Sequence, residues 1–258
     1  MTIVLKTNYP VALQSPDHIK PWGTKRDNSK SPRFLRKVSR LFSEEKGELS
    51  LLDIGCSGGG WVKQAHDKGW MAVGLEGSDY SKRTRRAEWA IIPEYLFTCD
   101  VTKPFQLSLE GAADNLKFSL ITSWEVLEHI TESDLPQLFL NVKNHLKNGG
   151  LFIASVSPNE EYIDGVRLHQ TVKPAQWWIK TARENGLYNL PDYLKYFNGH
   201  YVRGPKYGAP QTFHLVLTND PALAPKPRQI SWKNKLLDFW LESKPHRLLR
   251  LFIIGDRE

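Results

Sequence analysis

Short blocks of apolar residues recur through the middle of the chain. The blocks cover residues 49–54, 72–75, 95–98, 118–122 and 151–156. Runs of this length and composition are typical of strands buried on both faces of a parallel sheet. Helical segments alternate with them, at residues 61–67, 80–90 and 134–147. This alternation predicts an α/β fold with a doubly wound, mainly parallel sheet.

Two further helices and a last strand complete this domain. In residues 32–42, apolar side chains recur at helical spacing opposite a basic face, which predicts a helix packed on the sheet. A helix ending at Gly186 follows the fifth strand, and residues 213–217 alternate as in an antiparallel strand. Residues 190–210 are rich in aromatic, glycine and basic residues, so we expect a loop or insertion near the acceptor side.

The two ends of the chain differ from this domain. Residues 1–31 have no hydrophobic period, which predicts an extended N-terminal arm, with Trp22 either anchoring it or belonging to a lid over the cofactor. Residues 220–258 begin with a proline-rich linker and continue as a C-terminal helical extension interrupted at Pro245. We expect this extension to dock on the domain or on a second subunit as a homodimer. The predicted domain therefore spans residues 32–219.

Composition excludes several classes of protein. With only two cysteines, Cys56 and Cys99, a disulfide framework is not implied, and the default is a reducing compartment. No apolar run is long enough to span a membrane, and the N-terminus does not resemble a signal peptide. We therefore expect a soluble, cytoplasmic protein.

The basic charge of the chain lies at its ends. Residues 1–46 contain ten Lys or Arg against four Asp or Glu, and residues 226–258 contain eight against four. Because the whole chain is +7, the central part is net negative. This distribution disfavours a nucleic-acid groove across the domain and leaves a polyanion or membrane-surface contact to the termini.

A glycine-rich turn, DIGCSGGG, directly follows the first strand. Glycines at positions 55, 58, 59 and 60 allow the backbone to approach a ligand closely, and a helix begins at the turn. Glu76 ends the second strand, where a carboxylate can bind the two hydroxyls of a ribose. The pattern predicts a nucleoside site.

Asp53 distinguishes between the kinds of nucleoside cofactor. The dinucleotide fingerprint has no acid before its first glycine, and a carboxylate there would repel a phosphate but not a cationic ligand. The motif resembles the first motif of class I S-adenosylmethionine methyltransferases, in which Asp53, Gly55 and Gly59 match and Ser57 replaces the commonest middle glycine.

The resemblance implies a seven-stranded, Rossmann-like methyltransferase fold and S-adenosylmethionine as the cofactor. It also implies that an acid and the residue after it bind the adenine, although Asp100 could merely cap a turn before Pro104. The cofactor-binding residues that it predicts are Asp53, Gly55, Ser57, Gly59, Glu76, Asp100, Val101 and Trp124.

Candidate catalytic residues follow the fourth strand, in the sequence EVLEH. If this segment is helical, Glu125, Glu128 and His129 share one face at the carboxyl edge of the sheet. Two carboxylates and an imidazole at one point favour a cation between them. The pattern resembles that of the ubiquinone-biosynthesis O-methyltransferases and the small-RNA 2′-O-methyltransferases. There it binds a divalent metal, and a later histidine, matched here by His169, completes the set in the RNA enzymes.

Two interpretations of this segment stay open. In the first, Glu125, Glu128, His129 and His169 bind a divalent cation such as Mg²⁺ or Mn²⁺, which lowers the pKa of the acceptor hydroxyl. In the second, no metal is used, and His129 acts as a general base or binds the acceptor. In both interpretations Glu125, Glu128 and His129 are the catalytic candidates.

The predicted function is therefore S-adenosylmethionine-dependent methyl transfer to a hydroxyl of a sugar, glycan or other polyhydroxylated small molecule. One alternative is an RNA 2′-O-methyltransferase, although no RNA-binding module is recognisable. The other is a non-catalytic, methyltransferase-like subunit that binds a partner, which the intact cofactor motif disfavours.

Overall fold

The computed structural model describes residues 2–43, 48–227 and 236. Its strands are β1 (Ile3–Thr7), β2 (Ser50–Ile54), β3 (Met71–Glu76), β4 (Leu96–Thr98), β5 (Phe105–Leu109), β6 (Phe118–Trp124), β7 (Leu146–Val156), β8 (Tyr162–Ile163), β9 (Val166–Arg167), β10 (Tyr188–Asn189) and β11 (Phe213–Thr218). Its α-helices are α1 (Pro16–Ile19), α2 (Trp22–Arg26), α3 (Pro32–Leu41), α4 (Gly60–His66), α5 (Tyr80–Arg83), α6 (Leu135–His145), α7 (Ala175–Glu184) and α8 (Asp192–Phe197).

A seven-stranded sheet forms the centre of the fold, with the order β10-β11-β7-β6-β2-β3-β4. The pairs among β4, β3, β2, β6 and β7 are parallel, and β11 joins β7 and β10 in antiparallel register. The strands predicted from apolar blocks are all present. The prediction of a doubly wound, seven-stranded, mainly parallel sheet is confirmed.

Aromatic side chains pack α3 onto the sheet. Phe34 is fully buried, and its ring centroid lies 5.2 Å from those of Trp124 and Phe197 and 5.3 Å from that of Trp61. Tyr201 joins the same cluster. Part of the aromatic segment 190–210 therefore belongs to the core. This segment also contains the helix α8.

Two predicted helices are shorter than their sequence patterns suggested. The helix predicted for residues 134–147 ends at His145, because β7 begins at Leu146. The basic helix after Glu76 ends at Arg83, because Arg85 and Ala87 take positive φ angles of 51° and 50°.

The N-terminal segment is folded against the domain and is not an extended arm throughout. β1 pairs with β5 in a separate antiparallel sheet, in which Ile3 lies opposite Leu109. The short helices α1 and α2 follow. β5 was not predicted, because its partner lies far away in the sequence and it is not part of the central sheet.

The C-terminal extension, and with it the predicted docking helix and homodimer contact, lies outside the described residues apart from Leu236. Among residues 2–43 and 48–227, none of the helices has the length and apolar composition needed to cross a bilayer.

Candidate active site

A cavity of about 920 Å³ opens at the carboxyl edge of the parallel strands. Its walls come from the glycine turn after β2, the ends of β3, β4 and β6, and the segment before β8. Residues 9–27, with α1 and α2, form a further wall. The cavity can hold a nucleoside cofactor and a small acceptor side by side.

The glycine turn needs its unusual backbone. Gly55 has a φ of +76°, and a Cβ there would overlap the side chain of Val126. Ser57 also has a positive φ, of 47°, and its hydroxyl lies 2.8 Å from the carbonyl oxygen of Asp27. Both residues line the cavity.

Glu76 lies at the cavity wall, at the end of β3. Its Oε2 accepts a hydrogen bond from the Ser57 backbone N–H at 2.7 Å, and its Oε1 accepts bonds from Thr24 and the Ser78 N–H at 3.3 Å. Burial raises the pKa of this carboxyl. The carboxylate is therefore held rigidly beside the turn, as a ribose-binding group requires.

Asp53 and Gly59 do not line the cavity. The Asp53 carboxylate is buried and accepts a hydrogen bond of 2.6 Å from the Thr122 hydroxyl. Burial raises the pKa of this carboxyl to about 8. Gly59 begins α4 with a φ of +84°, and a Cβ there would meet Leu96 at 2.8 Å. Asp53 and Gly59 therefore contribute to the shape of the turn without lining the cavity.

Asp100, Val101 and Trp124 line the cavity at the ends of β4 and β6. Asp100 also caps the turn that follows it, because its Oδ1 accepts hydrogen bonds from the backbone N–H and hydroxyl of Thr102 at 3.0 and 2.6 Å. Oδ1 of Asp100 is therefore already hydrogen-bonded within this turn.

The EVLEH segment is not an α-helix. Glu125 takes a φ of +55°, and only Leu127–His129 form a single turn of 3₁₀ helix. As a result, Glu125 is not part of the group that Glu128 and His129 form with His169, and its Oε2 accepts a hydrogen bond of 2.9 Å from Thr212. The convergence of all three side chains on one helical face was predicted wrongly.

Glu128, His129 and His169 do come together. One ligand atom of each lies within 4.8 Å of those of the other two, and the imidazole rings meet edge to face at 4.7 Å. Glu128 is fully buried; its Oε1 accepts a bond from the Ser157 N–H at 2.9 Å, whereas Oε2 has no partner among the described residues. A buried carboxylate oxygen without a partner beside two imidazoles is suited to a cation.

Two acidic residues beside these histidines were not predicted from the sequence. Asp17 in α1 lies 2.9 Å from Nδ1 of His129, off the line of a directed hydrogen bond, and Glu161 lies 3.0 Å from Nε2 of His169. Both belong to segments without hydrophobic period. Only their acidity, shared with many surface residues, could have drawn attention to them.

The carboxylates set the protonation of the cluster. Burial lowers the pKa of His129, but the charges of Asp17, Glu128 and Glu161 outweigh it and raise the pKa to about 9. Burial and the neighbouring charge of Glu125 raise the pKa of Glu128 to about 8. Burial lowers the pKa of His169. In the absence of a cation, His129 is therefore protonated at neutral pH.

The lining as a whole is acidic. Its lysine and arginine residues are Lys103 and Arg203, which lie 3.4 and 3.6 Å from Asp134 and Asp27 respectively, and His129 and His169 also line it. Eight carboxylates line it: Asp17, Asp27, Glu76, Asp100, Glu125, Asp134, Glu160 and Glu161. The cavity favours cationic and neutral ligands over phosphates.

A family model described as a methyltransferase domain matches residues 26–201. The chain belongs to this methyltransferase family. The match and the fold together make it a class I, S-adenosylmethionine-dependent methyltransferase. No curated protein matches the sequence.

Solved structures share the fold at low sequence identity. An S-adenosylmethionine-dependent methyltransferase from Clostridium acetobutylicum is 15% identical, with a TM-score of 0.50, 79% of this chain covered and 95% of that one. A complex of the Haloferax volcanii Trm112 methyltransferase activator with a methyltransferase gives 14% identity and a TM-score of 0.51, covering 80% and 98%. At these identities the likeness concerns the fold alone.

Proposed function

We propose that the protein methylates a hydroxyl of a sugar or other polyhydroxylated small molecule, assisted by a divalent cation bound by Glu128, His129 and His169. The single observation that carries the proposal is the buried Glu128 carboxylate: its Oε2 has no partner among the described residues, and one of its oxygens lies within 4.8 Å of a ring nitrogen of both His129 and His169. S-adenosylmethionine would supply an activated methyl group, with Glu76 binding its ribose.

The imidazole of His169 adds support. Its Nδ1 lies 2.5 Å from the carbonyl oxygen of Asn159, which can only accept, so Nδ1 carries the proton. The lone pair of Nε2 then faces the Glu161 carboxylate at 3.0 Å. At this distance either a proton on Nε2 or a cation bound by both groups offsets the charge of the carboxylate, so Glu161 is a further candidate ligand.

A divalent cation would lower the pKa of a bound acceptor hydroxyl, so a strong base would not be needed. The protein residues then have separate tasks. Glu128, His129 and His169 bind the cation, and the acidic wall disfavours anionic acceptors. Glu125 has one carboxylate oxygen, Oε1, that is buried without a partner among the described residues, and we assign to it the proton of the acceptor hydroxyl.

The alternative in which His129 is the base receives less support, because a histidine with a pKa of about 9 is already protonated at neutral pH. The acidic lining likewise disfavours an RNA backbone as the acceptor. No observation in the described residues favours a non-catalytic subunit.

Calorimetric titration of the purified protein with Mn²⁺ tests the cation. We expect saturable binding by the wild type and a loss of at least about tenfold in affinity for Glu128→Gln. Glu132→Gln is the matched control, because Glu132 is exposed and pairs with Lys173. Absence of Mn²⁺ binding by the wild type, or equal binding by Glu128→Gln, would refute the cation site.

Release of S-adenosylhomocysteine over a panel of sugars and polyols tests the acceptor class. Excess chelator should abolish turnover and leave S-adenosylhomocysteine affinity unchanged, because the cation would contact the acceptor and not the cofactor. Full turnover in chelator would instead leave His129 or Glu125 as a metal-free base.

A further inference from the structure

The N-terminal segment contributes a carboxylate to the histidine cluster. Asp17 lies in α1, and its Oδ2 is 2.9 Å from Nδ1 of His129. The side chain of His129 is only 10% exposed, so this contact occupies the ring nitrogen nearest to the segment. The contact lies off the line of a directed hydrogen bond, so Asp17 acts on Nδ1 through its negative charge, which favours a proton there and leaves Nε2 for a ligand.

The position of Asp17 is fixed by contacts on both sides of α1. On one side, the Ala12 N–H donates to the Gly77 carbonyl oxygen at 2.9 Å. On the other, Lys20 forms an ion pair of 2.9 Å with Asp164. The carboxylate is thus presented to the imidazole by an anchored segment and not by a free chain end.

The second histidine also has an oxygen beside Nδ1, in this case in a directed hydrogen bond. Nδ1 of His169 donates to the Asn159 carbonyl oxygen. Each imidazole therefore has an oxygen acceptor beside Nδ1. Oxygen acceptors of this kind orient metal-binding histidines and raise their basicity.

We propose that Asp17 is a positioning residue that holds the His129 imidazole with its Nε2 toward the bound cation. This inference rests on the proposed function, because it assigns Asp17 a role in the same site. With this role for Asp17, the N-terminal segment takes part in the region of the cavity where the acceptor would bind.

Two variants separate positioning from simple anchoring. Asp17→Asn keeps the shape of the side chain and removes its charge. Asp164→Asn breaks the other ion pair of α1 without touching a histidine. We expect Asp17→Asn to weaken Mn²⁺ binding by about tenfold, Asp17→Glu to restore part of it, and Asp164→Asn to bind as the wild type does. Equal losses in Asp17→Asn and Asp164→Asn would overturn the proposal.

A second readout does not depend on the metal. In metal-free protein with ¹⁵N-labelled histidine, the Nδ1 resonance of His129 should shift in Asp17→Asn and stay unchanged in Asp164→Asn. If the wild type binds no Mn²⁺, the cation site fails and this measurement alone decides the role of Asp17. An unchanged Nδ1 resonance in Asp17→Asn would overturn it.

Discussion

Ser57 stands where the glycine-rich motif most often has its middle glycine. Its hydroxyl lies 2.8 Å from the Asp27 carbonyl oxygen, and those of Thr24 and Gly23 are 3.3 and 3.4 Å away. The serine thus provides a hydroxyl whose hydrogen bonds connect the glycine turn to the backbone of α2 and of Asp27.

Replacing Ser57 with alanine should loosen this wall of the cavity. The loss of one hydrogen bond should lower S-adenosylhomocysteine affinity by about 1 kcal/mol and expose residues 20–27 to protease. Calorimetry and limited proteolysis measure the two effects. Affinity and cleavage equal to those of the wild type would show that the hydroxyl does not hold α2.

Glu76→Ala should remove the group that we assign to the ribose. A charge-assisted contact of this kind contributes on the order of 1.5–3 kcal/mol to binding. Calorimetry with S-adenosylhomocysteine measures the loss, and Glu94→Ala, at an exposed position, is the control. Unchanged affinity would contradict the ribose assignment.

Single residues could be predicted where the fold aligns strand ends. Glu76, Asp100 and Trp124 follow apolar blocks, and because parallel strands end at one edge, all three line one cavity. Asp17 and Glu161 could not be predicted, because no period in their segments fixes where they lie.

At the scale of elements, apolar blocks were predictable and short irregular turns were not. The five parallel strands of the central sheet follow from burial on both faces. The EVLEH segment was predicted as a helix from its spacing, but Glu125 takes a left-handed conformation that spacing does not reveal. That backbone angle breaks the helical spacing on which the predicted common face of Glu125, Glu128 and His129 depended.

His145 links two elements that the sequence did not associate. Its Nδ1 donates to the Asn141 carbonyl oxygen in α6 at 2.8 Å, and its Nε2 accepts from the Leu107 N–H in β5 at 3.1 Å. Protonation of Nε2 would break the second bond, and burial lowers the pKa of this histidine from 6.5.

Stability should therefore depend on pH through His145. Its folded pKa lies below its unfolded value, so the unfolded chain binds more protons and the contribution is lost as pH falls below about 6.5. Urea unfolding of the wild type and His145→Gln at pH 7.5 and 5.5 measures this. The stability difference between the two proteins should be smaller at pH 5.5, and a constant difference would contradict the assignment.

At the scale of the whole molecule, the chain carries a net positive charge, whereas its cavity is lined mainly by acidic residues. The chain is +7, yet carboxylates dominate the cavity wall. Net charge was readable from the sequence. The acidic cavity was not, because its carboxylates come from segments distributed between Asp17 and Glu161.

The cavity field should distinguish the cofactor from its product. S-adenosylmethionine carries a sulfonium charge that S-adenosylhomocysteine lacks, so added salt should weaken the binding of the former more steeply. Calorimetry of both ligands at low and high ionic strength measures the two slopes. Equal slopes would mean that the acidic wall does not act on the sulfonium.

The pairing of β1 with β5 has a consequence for the order in which the protein is assembled. Ile3 must wait for Leu109, so a chain growing from its N-terminus presents the glycine turn and β3 before β1 has a partner. Closing so large a loop is slow compared with local pairing. We therefore expect β1 to reach its place late, after the glycine turn and β3 have formed their local contacts.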